Sequence, residues 1–314
     1  MNILVTGGAG FIGSHLCDAL LKLNHKVCCL DNFCLGREKN IAHLIENSRF
    51  RLIRSDLLDT VAVDELFGLL KFDAVFHLAA NSDIRAGAKD VSLDQRLNFQ
   101  TTVEVLQAMH KHRVKRLIFS STSAVFGENE SNLSELDGPL RPISFYGASK
   151  LAAEAYISVY AHTLGIKSTV LRFPNVVGER ATHGAIYDFM SKLRATPDRL
   201  EVLGDGLQSK PYVYVSDLIR AILITFNVQI TDFDVFHVAG DGFTTVRRIA
   251  EIVVENSSNP CAALKFTGGD RGWPGDVPRF NYDTSRIRAL GWAPQLNSTQ
   301  AVIHAVERIK QNGF

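Results

Sequence analysis

Tyr146 and Lys150 stand four residues apart in the run Ser144-Phe145-Tyr146-Gly147-Ala148-Ser149-Lys150, and no other pair in this chain is better suited to proton chemistry. A free phenol with a pKa of about 10 is ionised in roughly one molecule in a thousand at neutral pH. Residues four apart on a helix are neighbours, so the ammonium of Lys150 can favour the phenolate of Tyr146. Lowering the pKa by about three units takes about 4 kcal/mol of differential stabilisation. The pair then becomes a general base. The same spacing also fits a surface helix with one buried ring, so the choice rests on what accompanies it.

What accompanies it opens the chain. Asn2 to Thr6 reads as a short apolar strand, Thr6-Gly7-Gly8-Ala9-Gly10-Phe11-Ile12-Gly13 follows, and an apolar helix is expected from Ser14 to Leu23. Gly7, Gly10 and Gly13 have the spacing of a strand-to-helix phosphate turn. The first permits the tight turn, the second lets backbone approach a pyrophosphate, and the third packs the helix against the strand. The helix N-terminus then faces the anion. A second strand, Lys26 to Leu30, ends in Asp31, placed to bind an adenosine ribose. Asp31 would repel a ribose phosphate, so NAD is expected over NADP, with Arg37 nearby softening the preference. An oxidised nicotinamide adds a second positive charge to favour the Tyr146 phenolate.

Two further strands deliver loops to the same sheet edge. Phe50 to Arg54 leads to Asp56-Leu57, and Ala74 to Leu78 leads to Ala79-Ala80-Asn81. Both loops lie at strand C-terminal ends, where open α/β sheets bind ligands. Asp56 capping the next helix and Ala79-Ala80 permitting close packing are the simpler readings.

The 314 residues suffice for one large domain or two ordinary ones, and a 46% hydrophobic content supplies the core. With 34 basic and 33 acidic residues, no overall field favours nucleic acid or anionic membrane. The basic cluster Lys111, His112, Arg113, Lys115 and Arg116 reads as a solvated helix end. Cys17, Cys28, Cys29, Cys34 and Cys261 lack zinc or redox spacing, the histidines form no metal face, and reduced thiols in a cytoplasmic protein are expected. No run of about 18 apolar residues suggests a membrane span, and the N-terminus shows no leader.

Strands alternate with helices through residue 173, including Arg116 to Ser121 and Ser168 to Phe173, which predicts an α/β fold with a doubly wound, Rossmann-type parallel sheet. The cofactor domain is expected over 1–174, with 210–240 returning to it through a strand at Asp234 to Val238. Residues 175–314 should form a smaller, mixed α/β substrate lobe over the sheet's C-terminal edge.

Together these features resemble the extended short-chain dehydrogenase/reductase superfamily and, within it, the NAD-dependent nucleotide-sugar epimerase/dehydratase family, most of all its members acting at C4 of UDP-hexoses. The resemblance runs nearly end to end on TGGAGFIG (6–13), DN (31–32), DL (56–57), FHLAA (76–80), Asn98, SSTSAVFG (120–127), YGASK (146–150), RFPNVVG (172–178), GDGLQSKPYVYVSD (204–217) and PGDVP (274–278). It implies bound NAD, contacted by Gly7, Gly10, Phe11, Ile12, Gly13, Asp31, Asn32, Asp56, Leu57, Leu78, Ala79, Ala80, Asn98, Tyr146, Lys150 and Phe173. It implies catalysis by Thr122, Tyr146 and Lys150, with Thr122 orienting the sugar O4. Asn81, Thr122, Ser123, Asn175, Lys210, Tyr212, Arg271 and Asp276 are implied to contact a UDP-sugar, Arg271 at the diphosphate, with Trp273 either stacked on the base or anchoring the lobe.

Related 4,6-dehydratases carry an Asp-Glu pair directly after the threonine, where this chain has Ser123 and Ala124. The resemblance therefore implies reversible inversion at C4 of UDP-glucose/UDP-galactose or a close relative bearing N-acetylglucosamine or glucuronate. A nucleotide-sugar 4-ketoreductase using external NAD(P)H, a dehydratase and a non-catalytic dinucleotide sensor are the alternatives. It also implies a homodimer built from the helices Phe99 to Lys111 and Phe145 to Thr163; from charge, histidine spacing and hydropathy, no metal, nucleic-acid or membrane partner is expected.

Overall fold

The computed structural model describes residues 1–312 apart from 130–131, 229–230, 270, 273–276 and 278. The chain divides into two compact units. The first comprises residues 1–126, 140–172 and 219–236, and the second comprises 127–139, 173–218 and the chain from 237 on. Segment 127–139, which the sequence assigns to the cofactor domain, thus belongs to the second unit, and the returning stretch is 219–236 rather than 210–240.

The first unit is built on a seven-stranded sheet. Its strands are β1 (Asn2–Thr6), β2 (Lys26–Asp31), β3 (Phe50–Arg54), β4 (Ala74–His77), β5 (Arg116–Thr122), β6 (Lys167–Phe173) and β7 (Phe233–His237). The spatial order is β7-β6-β5-β4-β1-β2-β3. β1 pairs in parallel with both β2 and β4, β2 with β3, and β4 with β5. Ile3, Leu4 and Val5 are fully buried, as are Val75, Phe76, Leu117 and Phe119, so these strands read as continuous apolar runs rather than alternating ones. The chain winds outward from β1 to β3 and then crosses back to β4 on the other side of β1. That reversal opens a crevice between the C-terminal ends of β1 and β4, where such sheets bind ligands.

Helices α1 (Phe11–Lys22), α2 (Thr60–Leu70), α3 (Ile84–Lys89), α4 (Thr101–Lys111) and α5 (Phe145–Leu164) lie in the same unit. Phe67, Phe72, Val105, Leu106, Met109, Ala153 and Ile157 bring α2, α4 and α5 into one core with Leu4, Val75, Leu117 and Phe119 of the sheet. Beyond the core, Lys111 and His112 both reach Asp64 at 2.7 Å, so this end of the basic cluster is an ion-paired helix terminus.

Two elements depart from the sequence expectation. α1 starts at Phe11 rather than Ser14, because Gly10 is its extended N-cap, and Phe11, Ile12 and Gly13 therefore form its first turn. The helix expected from Phe99 starts at Thr101, preceded by a π turn over Gln95–Gln100. Such turns concentrate at functional sites.

The second unit contains parallel pairs Asn175–Val177 with Tyr212–Tyr214, Arg199–Val202 with Ala263–Phe266, and Asn132–Leu133 with Asn281–Tyr282. Ser209–Lys210 pairs antiparallel with Thr244–Thr245. Its helix Ser298–Gln311 begins in a capping box between Asn297 and Gln300. Trp292 is fully buried and donates its indole N–H to the Asp217 carbonyl at 2.9 Å, while the Asp217 carboxylate accepts from the backbone of Gln295 and Leu296. No described helix is long and apolar enough to cross a membrane.

Candidate active site

The turn after β1 is fixed from several sides. Gly7 has φ +68°, its N–H reaches the Leu30 carbonyl at 2.8 Å, and a Cβ there would lie 2.8 Å from the Ala79 nitrogen. Gly13 faces the same turn, and a Cβ on it would overlap the Gly7 carbonyl oxygen. Ala79 and Gly13 thus close on Gly7 with no room for a side chain. No side chain caps Gly10, and no acidic residue occupies the first turn of α1. The N–H groups and positive end of that helix are left to a ligand, an arrangement that fits a pyrophosphate.

Asp31 is buried at the end of β2. Its carboxylate accepts from the Ala9 N–H at 2.9 Å and the Phe33 N–H at 2.8 Å, so it braces the glycine turn. Burial pushes its pKa up, against these backbone bonds. Asp56 accepts from the Asn32 side chain at 3.0 Å and from the Leu58 N–H at 2.9 Å. The cap of α2 is Asp59, not Asp56, which leaves Asp56 beside Asn32 at the sheet edge.

Tyr146 and Lys150 lie on one face of α5, whose start is fixed by the Ser144 hydroxyl accepting from the Gly147 N–H at 3.1 Å. Thr122 ends β5. Its hydroxyl oxygen accepts from the Ala124 N–H at 3.1 Å, which leaves the O–H to donate to the Tyr146 phenol. Ser123 and Ala124 begin the short 3-10 turn Ser123–Phe126. Lys150 is fully buried, with Nζ 3.0 Å from the Ser120 carbonyl and 4.7 Å from the centre of the Phe119 ring. Behind it Glu154, four residues further along α5, accepts from Ser121 and forms a buried pair with Arg172.

These surroundings set the resting protonation of the pair. Burial pushes the Tyr146 phenol up to about 12, the Thr122 hydrogen bond pulling the other way, and the charge of Asp94 adds to the rise. Burial lowers Lys150 to about 8 against the charges of Glu154 and Asp94.

A connected polar cluster that the motifs did not announce lies beside the pair. Thr102 donates to the Asn98 carbonyl at 2.6 Å, so its oxygen accepts from His77 Nε2–H at 3.1 Å. His77 Nδ1 then accepts the Thr6 hydroxyl at 2.7 Å, and the Thr6 oxygen accepts from the Ala79 N–H at 3.3 Å. Burial pushes His77 down to about 3, which keeps it neutral in this tautomer. Onward from Asn98, its Nδ2 donates to Ser149 at 3.1 Å, and Ser149 donates to the Tyr146 carbonyl at 2.8 Å. The bonds run with one direction at every step from the glycine-turn strand to the helix of Tyr146.

Both amide hydrogens of Asn98 are taken, by Ser149 and by Asp94 Oδ1, and its Oδ1 accepts from the Asn81 N–H at 2.7 Å. Asn98 is fully buried and holds the loop after β4 to α5. Asn81 is likewise buried and donates to Asp94 at 2.8 Å. Leu78, Ala79 and Ala80 are partly exposed above β4, Phe11 and Ile12 are partly exposed on α1, and Leu57 is buried.

Among the residues expected at the sugar, Asn175 is exposed opposite buried Tyr212 in their strand pair, and Lys210 sits in the strand facing Thr244. Arg271 forms an ion pair with Glu128. Phe173 closes β6. Trp273 and Asp276 lie outside the described residues.

Residues 3–239 match the model of the NAD dependent epimerase/dehydratase family. A UDP-glucose 4-epimerase of Mycolicibacterium smegmatis is 30% identical over 98% of each chain. The UDP-glucuronic acid 4-epimerase of Bacillus cereus, solved with UDP-glucuronic acid and NAD, superposes with a TM-score of 0.88 at 30% identity over 100% of both chains. A dTDP-glucose 4,6-dehydratase of Streptomyces venezuelae, solved with NAD, gives 0.90 at 27% identity over 99% of this chain and 98% of its own.

Proposed function

The chain belongs to the NAD-dependent epimerase/dehydratase family, and from that membership we propose that it is a UDP-hexose 4-epimerase working with NAD held at the glycine turn. The observation that carries this reading is the Thr122–Tyr146–Lys150 arrangement followed by Ser123 and Ala124. A hydroxyl and a phenol suffice to move the O4 proton. Elimination of the C6 hydroxyl needs an acid and a base in addition, and the two residues directly after Thr122 are Ser123 and Ala124, neither a carboxylate.

NAD, when bound, supplies a hydride acceptor for C4 that can return the hydride, with a positive charge in its oxidised form. Tyr146 takes the proton from O4 and later restores it. Thr122, its oxygen held by the Ala124 N–H, donates to the phenolate and so keeps it aimed. Lys150 supplies charge from a desolvated position, where a charge acts more strongly than in water. In this reading Gly7, Gly10, Gly13, Asp31 and Asp56 hold the cofactor, and Asn175, Lys210, Tyr212 and Arg271 serve the nucleotide sugar.

The test is incubation of purified protein with UDP-glucose, UDP-N-acetylglucosamine and UDP-glucuronate separately, without added cofactor, followed by NMR. A galacto-configured product with steady nicotinamide absorbance is expected. No product in any incubation, or turnover only with stoichiometric external NAD(P)H, would overturn the reading in favour of a reductase.

The family resemblance also suggests a homodimer through α4 and α5. Tyr156 is 47% and Val159 59% exposed on α5, and Tyr156 meets Phe99 edge to face at 5.0 Å. Sedimentation at micromolar concentration should give the mass of two chains, and a monomer would count against this pairing.

A further inference from the structure

We propose that Asp94, at the mouth of the π turn, is a positioning residue whose fixed negative charge and two-amide clamp set the protonation balance of Tyr146 and Lys150. The inference rests on the epimerase reading only for its activity readout. Asp94 is fully buried. Its Oδ1 accepts from Asn81 Nδ2 at 2.8 Å and Asn98 Nδ2 at 3.1 Å, which ties the loop after β4 to the π turn. Among the described residues its Oδ2 has no hydrogen-bond partner. That oxygen packs against α3 so closely that a Cβ on Gly87 would overlap it.

A buried carboxylate with one oxygen unbonded is costly unless a charge compensates it. Burial raises the Asp94 carboxyl above its ordinary value, opposed by the Asn81 and Asn98 hydrogen bonds and by the charge of Lys150, likewise buried, whose own bonds are to the Ser120 carbonyl and the face of Phe119 rather than to a carboxylate. The clamp fixes where the charge stands, because Asn98 is itself held through Ser149 to the backbone of Tyr146. Asp94 therefore cannot swing away without moving the helix that carries the base.

Among the described residues, the ionisable groups acting on this cluster come from three elements. From α5 they are Tyr146, Lys150 and Glu154; from β4, His77; and before α3, Asp83. Negative charge at Asp94 disfavours the phenolate and favours the ammonium, which agrees with the directions it exerts on both partners. Asp94 thus biases the pair toward protonated lysine and protonated phenol, a phenol that can give a proton and that takes one only after it has ionised.

The variant that isolates the charge is Asp94→Asn, which keeps the shape and the Oδ1 acceptor. The first readout is independent of turnover. Tyrosinate absorbance is titrated in the wild type and in Asp94→Asn, each corrected by its Tyr146→Phe counterpart, to follow Tyr146 alone. Its midpoint should fall by about one unit in Asp94→Asn. The second readout is the pH profile of kcat, both limbs of which should move to lower pH, since Lys150 also loses its proton more readily. Unmoved midpoints with only a reduced amplitude of activity would assign Asp94 a purely structural role and overturn the proposal. A wild type without epimerase activity would instead overturn the functional reading and leave the titration to decide Asp94. Asn98→Ala, which loosens the clamp but retains the charge, should leave the Tyr146 midpoint closer to wild type than Asp94→Asn does, and the reverse order would also count against the proposal.

Discussion

Tyr146→Phe keeps its fold and its NAD and loses epimerisation by about a thousandfold, within the range that removal of a positioned acid-base group produces. Only one hydroxyl is deleted, and the ring itself is kept. The neighbours keep their own anchors. Lys150 retains the Ser120 carbonyl and the Phe119 ring, the Thr122 oxygen still accepts from Ala124, and the Tyr146 carbonyl still accepts from Ser149. Stability and cofactor content should therefore match the wild type, so the loss falls on kcat. The check is kcat for whichever UDP-sugar proves to be the substrate, with NAD released by denaturation and counted per chain. A variant retaining a tenth of wild-type turnover would place the proton transfer elsewhere.

The elevated phenol sharpens what the site has to achieve. Bringing a group at about 12 to half-ionisation at neutrality takes about 7 kcal/mol, against the about 4 kcal/mol inferred for a phenol at its ordinary value. The phenol stands at that value with Lys150 already in place on the same helix. Lys150 alone does not generate the base. Burial that raises the phenol also makes the phenolate a stronger proton acceptor once formed, which suits a group that must take a proton from a sugar hydroxyl and return it.

How far this was legible in the sequence depends on how local the constraint is. Gly7, Gly10 and Gly13 announce the turn because each meets a backbone restriction within a few residues, and Asp31 follows from strand length alone. Tyr146, Lys150 and Glu154 share one helix face, so spacing finds the first two. His77 and Thr6 are bonded across 71 positions, Arg271 and Glu128 across 143, and no local pattern encodes such partners. Asp94 was missed for the same reason: its weight comes from burial among Asn81, Asn98 and Lys150, and its own segment reads as an ordinary polar helix start. The π turn is equally silent, since Gln95–Gln100 differs from regular helix only in which carbonyl each N–H finds. The burial that raises the Tyr146 phenol is a tertiary quantity, invisible until the chain closes around it.

Gly13→Ala adds a single methyl and should weaken NAD binding by about a hundredfold, with a loss of about 1–3 kcal/mol in stability from overpacking. The new Cβ would overlap the Gly7 carbonyl oxygen and approach Gly8 Cα to 2.8 Å and the Gly7 carbonyl carbon to 2.9 Å. These are backbone atoms with nowhere to retreat. Gly7 is held by the Leu30 carbonyl at 2.8 Å and is already at φ +68°, with Ala79 closed against its other side. The strain is relieved only by moving α1 away from β1, and the first-turn N–H groups then lose their aim. Losing one or two charge-assisted bonds to a pyrophosphate costs about 3 kcal/mol, which is about a hundredfold in Kd. Calorimetric titration with NAD, beside a urea melt of the same protein, separates the two effects. A Gly13→Ala protein that binds NAD within about threefold of wild type, while showing the expected stability loss, would mean that close packing at this turn serves the fold alone and that the pyrophosphate is held by other groups.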